Sequence, residues 1–391
     1  MERVLVTGLG VVSCLGTTVD SYWTGLMAGH SEPAPVSDPL ANMDNRLLYG
    51  ITRPPRPVAH AGSGRLGRTS TFALAAARVA LADAALGGAD LTDAGICVGT
   101  GVGDVSLFEA VPAGMPPPMG ADAFPFKVSS VLAAELGSAG PVVSVSTACS
   151  ASGYGVSLAA DLIRDGEADV VVAGGADGYT RVGVACFNRM GALDPLRCRP
   201  FDADRRGTVF GEGGAFMVLE SESHARRRGH TRAYATVEGA GWSCDAHHPT
   251  APEGKGAQAI RAIRDALSEA GLGPDAVGCV VPHGTGTPLN DVVESAALGA
   301  VLGDRVGTVP VYSLKAMLGH TGGAAAAFAL LTAALIIDRE TVPPNAPLES
   351  PDPACALRLH TGEPLAGPVD HVLVNAYAFG GNNISVLLGR P

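Results

Sequence analysis

Four short segments of the 391-residue chain carry residues whose types could do chemistry. The first, VSVSTACSASGYGV (143–156), breaks an apolar alternating run with small polar residues around Cys149. A cysteine at the start of a helix faces unpaired N–H groups and the positive end of the helix dipole. Both favour a thiolate, and the same N–H groups can stabilise a developing oxyanion. Cysteine is equally a small buried hydrophobe, so this stretch alone leaves both readings open. The second segment, VVPHGTGTPLND (280–291), places His283 directly after a β-branched run, with Thr285 and Thr287 beyond it. The third, SLKAMLGHTGGAAAA (313–327), carries Lys315 and His320 among glycines that permit close backbone approach. The fourth, NAYAFGGNN (375–383), sets Phe379 before two glycines in a stretch rich in free amides. A thiol, two imidazoles, an ammonium and a loop of N–H donors suit nucleophilic catalysis with a stabilised oxyanion.

Each segment follows a run that reads as a buried strand, so the elements that position them can be predicted. Strands are expected at 3–8, 95–101, 141–146, 168–175, 278–284, 309–314 and 371–377. Alanine-rich helices are expected over 70–86, 256–271 and 324–337, two of them with clear apolar periodicity. Strands alternating with helices imply an α/β fold whose sites sit on the loops after strands. The chain restarts with TRAYATVEGAGWS, which places a boundary near residue 230. The segments 30–66 and 111–126, rich in proline and glycine, read as surface excursions.

Composition excludes several classes. Hydrophobic residues make up 47% and charged residues 17%, which fits a large globular core and not a disordered chain. No apolar run approaches the roughly 18 residues of a membrane span. The N-terminus enters a strand-like run without a signal segment. Eight scattered cysteines without a C-x-x-C pair argue against a disulfide framework or a zinc site and point to a reducing cytoplasm. A net charge of −11 argues against a general nucleic-acid binder.

The ordered set of cysteine, HGTGTP histidine and K-x-x-x-G-H histidine resembles the β-ketoacyl-acyl carrier protein synthases, the elongating ketosynthases of fatty acid and type II polyketide synthesis. The likeness runs from VLVTGLGVVSCLG through RPFDADRRGTVFGEGGAFMVLE (199–220) and CDAHHPTAPEG (244–254) to AFGGNN. It implies a thiolase-like layered α/β fold of two similar five-stranded βαβαβ halves. Residues 1–230 would carry the nucleophile and residues 231–391 the two histidines. It implies decarboxylative Claisen condensation of an acyl-enzyme with malonyl-acyl carrier protein. No cofactor or metal is expected beyond the carrier's phosphopantetheine. Acyl carrier protein is the expected partner, within a homodimer or a heterodimer with a chain-length-factor-like subunit.

Residue by residue, the resemblance casts Cys149 as nucleophile and His283 and His320 as the decarboxylating pair, with Lys315 ordering the site. The N–H groups of Cys149 and Phe379 would form the oxyanion hole, and Thr285 and Thr287 would bind the pantetheine arm. Phe108, Phe187 and Phe379 would shape and gate the acyl pocket. Asp291 and Glu294, three apart on the helix predicted after HGTGTP, read as supporting acids. The family usually places a glutamate nine residues after the second histidine, where this chain has Ala329. Either Asp291 or Glu294 is therefore expected to offset the charge of Lys315, or Lys315 titrates lower than is usual for the family; the first is favoured because both acids lie on the helix that follows His283. His248 reads as lining the site at most, and Cys186 and Cys198 as packing residues. Arg65 and Arg68 read either as carrier contacts or as a solvated helix end.

Three rival readings are weaker. A dinucleotide site would need G-x-G-x-x-G, but the N-terminal run reads G-x-G-x-x-S with no acidic residue about 20 positions on. Degradative thiolases resemble a set with a second, C-terminal cysteine, where this chain has FGGNN. A non-catalytic chain-length factor would normally lack the nucleophile.

Overall fold

The computed structural model describes residues 2–55, 65–118 and 122–391. Nine strands form one mixed sheet: β1 (Val4–Val12), β2 (Gly95–Gly99), β3 (Val142–Val145), β4 (Val170–Asp177), β5 (Gly213–Ser221), β6 (Ala235–Cys244), β7 (Cys279–Val281), β8 (His371–Tyr377) and β9 (Asn382–Gly389). Their order across the sheet is β7-β8-β9-β6-β1-β5-β4-β2-β3. Residues before 230 thus supply five adjacent strands. Those after it supply four, with Val311 bridged to Val280 where a fifth would lie. The two sets join through a short antiparallel contact of β1 with β6, Leu5 opposite Thr236 and Val6 opposite Ala235.

Helices cover both faces. The outer helices α1 (Arg68–Asp83) and α3 (Ala257–Glu269) pack on the first and second sets of strands respectively, and α4 (Pro288–Leu302) packs beside α3. Between the two sets lie α2 (Ala151–Arg164) and α5 (Ala325–Arg339), in contact with each other and with strands of both. Every residue of α5 from Ala325 to Ile337 is buried, which is why its sequence is apolar on all sides. Contrary to the expectation that no apolar run approaches a membrane span, the helical run Gly322–Arg339 is long and apolar enough to cross a membrane by length and composition, and 83% of it is buried inside the protein.

Both central helices begin the same way. A short 3-10 turn, Ala148–Ser150 before α2 and Gly322–Ala324 before α5, sets their N-termini side by side. The Ala327 N–H donates to Ser152 Oγ across the pair at 2.9 Å. Sequence segments far apart in the chain therefore deliver Cys149 and His320 to one place. Close packing at this point depends on glycine: a Cβ on Gly99, at the end of β2, would lie 2.1 Å from the Ser152 nitrogen.

Three expectations need revision. The 141–146 run is not a buried strand, because β3 is the sheet edge and its residues alternate exposed and half-buried. The 309–314 run makes only isolated bridges, to Val280 and Arg358. The 30–66 excursion is partly core: Leu47–Tyr49 pairs in parallel with Phe210–Gly211, and Tyr49 is fully buried. Residues 56–64 of that segment, and 119–121 of the 111–126 segment, lie outside the described residues.

Replacing Gly99 by alanine should lower the unfolding free energy by about 1–3 kcal/mol, the usual cost of overpacking. Denaturant unfolding measures this, and an unchanged midpoint would contradict the packing account.

Candidate active site

Cys149 sits in the 3-10 turn before α2, preceded by Ala148 in the left-handed region at φ +48°. This turn aims the sulfur at His320, whose Nε2 lies 3.0 Å from Sγ. The N–H groups of Cys149 and Phe379 both converge on the sulfur. Gly380 and Gly381 carry positive φ values of 84° and 76°, which let the Phe379 loop turn back toward it. The loop is held from outside by Gly380 N–H to the Pro249 carbonyl (2.8 Å) and Asp245 N–H to the Gly381 carbonyl (2.9 Å).

His283 leaves the end of β7, and its ring centroid is 5.8 Å from that of His320, the planes nearly perpendicular. What lies behind each ring decides its proton. The Gly322 N–H donates to His320 Nδ1 at 3.2 Å. Lys315 Nζ lies 3.4 Å from His283 Nδ1 and also donates to the His283 carbonyl. An ammonium and a peptide N–H can only donate, so both Nδ1 atoms accept. Burial, reinforced by the Lys315 charge, holds both imidazoles well below their usual pKa. Both rings are therefore neutral and keep their one proton on Nε2.

Burial also pushes the Cys149 thiol up to about 11, against the pull of Lys315 and the two N–H groups. The resting site holds a thiol, and the thiolate expected from the helix terminus is outweighed by desolvation. Lys315 itself is lowered by burial and partly restored by the Glu294 charge.

The carboxylate question has a specific answer. Glu294 accepts the His283 and Gly284 N–H groups, each at 2.7 Å, one on each oxygen. It makes no direct ion pair with Lys315. The two meet through the backbone of His283, whose N–H goes to Glu294 and whose carbonyl accepts from Lys315. Burial pushes the Glu294 carboxyl up to about 7. Asp291 is committed elsewhere, to the Phe201 N–H (2.8 Å), the Gly286 N–H (3.2 Å) and the Arg205 guanidinium (3.3 Å). Ala329 is buried on α5 within the main apolar cluster.

Two cavities meet at Cys149. The outer one reaches the surface past Thr285, Thr287, Asn290, His248 and Thr250, and also contacts both histidines. The inner one, about 160 Å³, is lined by Leu48, Val102, Val184, Phe187 and Phe210. Phe187 and Phe379 line both cavities and stack with centroids 5.1 Å apart, forming the partition between them. Thr285 and Thr287 hydroxyls lie 3.0 Å apart in the outer cavity.

Other candidates fall outside this cluster. Phe108 is half-exposed on the short helix Ser106–Glu109 and lines neither cavity in the single chain. Arg68 is paired with the buried Glu212, and Arg65 donates to the Pro116 carbonyl at 2.9 Å. His248 does line the outer cavity, its Nδ1 accepting from the Thr250 and Ala251 N–H groups at 3.1 Å each. Cys186 is exposed, Cys198 is buried, and all eight cysteines are free thiols.

Several contributors escaped the sequence reading. Phe210 stacks on His320 with centroids 6.0 Å apart, and Asn375 donates to Glu294 at 3.4 Å. Asp177, buried at the end of β4, lines the inner cavity. Its only sequence signal is an acidic residue closing the apolar run VVVAGGAD.

Residues 1–225 match the family described as the beta-ketoacyl synthase N-terminal domain, and residues 234–349 the corresponding C-terminal domain. The chain is 34% identical to the 3-oxoacyl-[acyl-carrier-protein] synthase 2 of Synechocystis sp., covering 98% of this chain and 97% of that protein. It is 35% identical to the tetracenomycin polyketide synthase ketoacyl synthase alpha subunit of Streptomyces glaucescens, over 100% of this chain and 97% of that protein. The ishigamide ketosynthase/chain length factor structure contains a chain that superposes with a TM-score of 0.93 at 38% identity, over 100% of this chain and 99% of that one.

Glu294→Gln keeps the shape but replaces one accepting oxygen by an NH2 group that faces an N–H. Losing a buried hydrogen bond to a charged group should lower the unfolding free energy by about 1.5–3 kcal/mol. Urea unfolding checks this, and a variant as stable as the wild type would remove Glu294 from the account.

Proposed function

The chain belongs to the β-ketoacyl synthase family, and from that premise we propose how its residues carry out decarboxylative condensation. The observation that carries the reading is the convergence of one thiol, two neutral Nε2–H imidazoles and two backbone N–H groups on a single cavity junction. Cys149 attacks the carbonyl carbon of an acyl thioester. The tetrahedral oxyanion takes hydrogen bonds from the Cys149 and Phe379 N–H groups. The carrier's sulfur leaves with the proton that Cys149 gave up, and the acyl group stays on the enzyme.

A malonyl thioester then enters from the outer cavity, with Thr285 and Thr287 placed to hydrogen-bond the pantetheine arm. Its thioester carbonyl oxygen accepts Nε2–H from His283 and from His320. Loss of carbon dioxide turns that oxygen into an enolate, and each aligned donor stabilises such charge by about 3 kcal/mol. Neutral imidazoles suit this step because they donate without surrendering a proton to the enolate carbon. That carbon attacks the Cys149 thioester, the C–S bond breaks, and a β-ketoacyl carrier departs. Cys149 leaves as thiolate and is reprotonated. No step calls for a metal ion or a nicotinamide.

The acyl chain occupies the inner cavity behind the Phe187–Phe379 partition. Its volume of about 160 Å³ is close to that of a cavity that admits benzene, so a short acyl group fits the single chain. The exposed edge strand β3, together with the exposed Phe108, Phe124, Phe126 and Met115, supports pairing with a second subunit. That subunit is a second copy or a chain-length-factor-like partner, and this chain supplies the nucleophile. Acyl carrier protein delivers both substrates. Eight free thiols fit a reducing compartment such as the cytoplasm.

The two half-reactions should separate by residue. Cys149→Ala should abolish acyl-enzyme formation, read by intact-mass spectrometry, while carbon dioxide release from malonyl carrier persists. His283→Ala or His320→Ala should lower that release by about 10²–10³, more than they lower acylation. Condensation at a near wild-type rate by Cys149→Ala would defeat the assignment.

A further inference from the structure

Asp177 is a buried carboxylate that lines the inner cavity, and the steps above do not use it. Its Oδ1 accepts from the Thr100 hydroxyl at 2.7 Å and, more weakly, from the Val102 N–H at 3.5 Å. Its Oδ2 accepts from the Gly101 N–H at 2.8 Å and the Gly323 N–H at 2.5 Å. Three chain segments thus meet on one side chain: the end of β4, the turn after β2, and the turn after His320. Glycine makes the meeting possible. A Cβ on Gly322 would stand 2.6 Å from Oδ2, and one on Gly323 would stand 2.4 Å from the Gly101 nitrogen.

The hydrogen bonds then run directly to the reacting atoms. Asp177 fixes Gly323, the adjoining Gly322 N–H fills His320 Nδ1, and His320 Nε2 faces Cys149 Sγ. Resting on the condensation reading above, we propose that Asp177 is a positioning residue that fixes the tautomer and aim of His320 by clamping the 320–323 turn against the 99–102 turn. A second consequence follows from its charge. A buried carboxylate near Cys149 disfavours a second negative charge on the sulfur, and Asp177 does raise the thiol's pKa. Removing the charge therefore helps the thiol ionise while removing the clamp harms the histidine. Loss of the charge and loss of the clamp thus push the thiol and the histidine in opposite directions.

Asp177→Asn is nearly isosteric, abolishes the charge, and turns one acceptor into a donor facing N–H groups. Three quantities are measured on folded, full-length protein at pH 7: carbon dioxide release from malonyl carrier, KM for that carrier, and iodoacetamide alkylation of Cys149 by mass spectrometry. Release should fall roughly tenfold to a hundredfold, the scale of a lost hydrogen bond to a charged group. KM should hold, because Asp177 does not line the outer cavity. Alkylation should quicken, about tenfold for each pKa unit by which the thiol falls. Loss of release and alkylation in parallel, or no change in either, would overturn the proposal. If Asp177→Asn does not fold, Thr100→Val removes the hydroxyl shared by Asp177 and the Gly103 N–H and keeps the carboxylate in place. It should slow release, and release at the wild-type rate would overturn the proposal. A wild-type protein that releases no carbon dioxide would instead overturn the condensation reading, and this proposal with it.

Discussion

Everything at this site depends on the packing of two central helix N-termini against each other inside the protein. That packing puts Cys149 and His320 within 3.0 Å although 171 positions separate them. The same burial sets every protonation state nearby. It lifts the thiol, Asp177 and Glu294, and it depresses His283, His320 and Lys315. A buried ionisable group is costly unless each polar atom is met. Here the partners come mainly from backbone: the N–H groups of 283 and 284 for Glu294, of 101 and 323 for Asp177, of 322 for His320, and the carbonyl of 283 for Lys315. Backbone partners cannot swing away, so the catalytic rings inherit the rigidity of the strands and turns that carry them.

Such a site is neutral where chemistry happens and charged just behind it. A neutral imidazole donates to an enolate without quenching it by proton transfer, and a thiol at rest is protected from stray electrophiles. The Lys315 charge acts in two ways, filling His283 Nδ1 and discouraging both rings from taking a second proton. Glu294 in turn stabilises Lys315 without touching it. This explains how the chain carries alanine at position 329: the compensating carboxylate approaches through the peptide of His283 and not through a side-chain ion pair.

Much of this was legible in the sequence, and the limits have physical causes. Cys149, His283, Lys315 and His320 stand beside strand ends and glycines in recognisable order, so the fold class and the residues that the fold gathers at one site could be read directly. The outer helices α1 and α3 and the core helix α5 follow from their apolar patterns. Asp177, Phe210 and Asn375 stayed hidden because each acts through a contact with a segment distant in sequence. Asp291 and Glu294 looked interchangeable by spacing, and only the fold separates them: one faces Arg205, the other the backbone of His283. The 141–146 run looked buried because its residues are β-branched, but it is an edge that the single chain leaves open. Phe108 belongs to the same open side, half-exposed and away from both cavities.

The central claim is that two buried imidazoles are neutral and carry their protons on Nε2, held so from behind. Nitrogen-15 NMR of histidine-labelled protein at pH 7 addresses it directly, with His283→Ala and His320→Ala assigning the two rings. The account predicts, for both rings, an unprotonated Nδ1 and a protonated Nε2 with no imidazolium. A doubly protonated ring, or a proton on Nδ1 of either histidine, would contradict it.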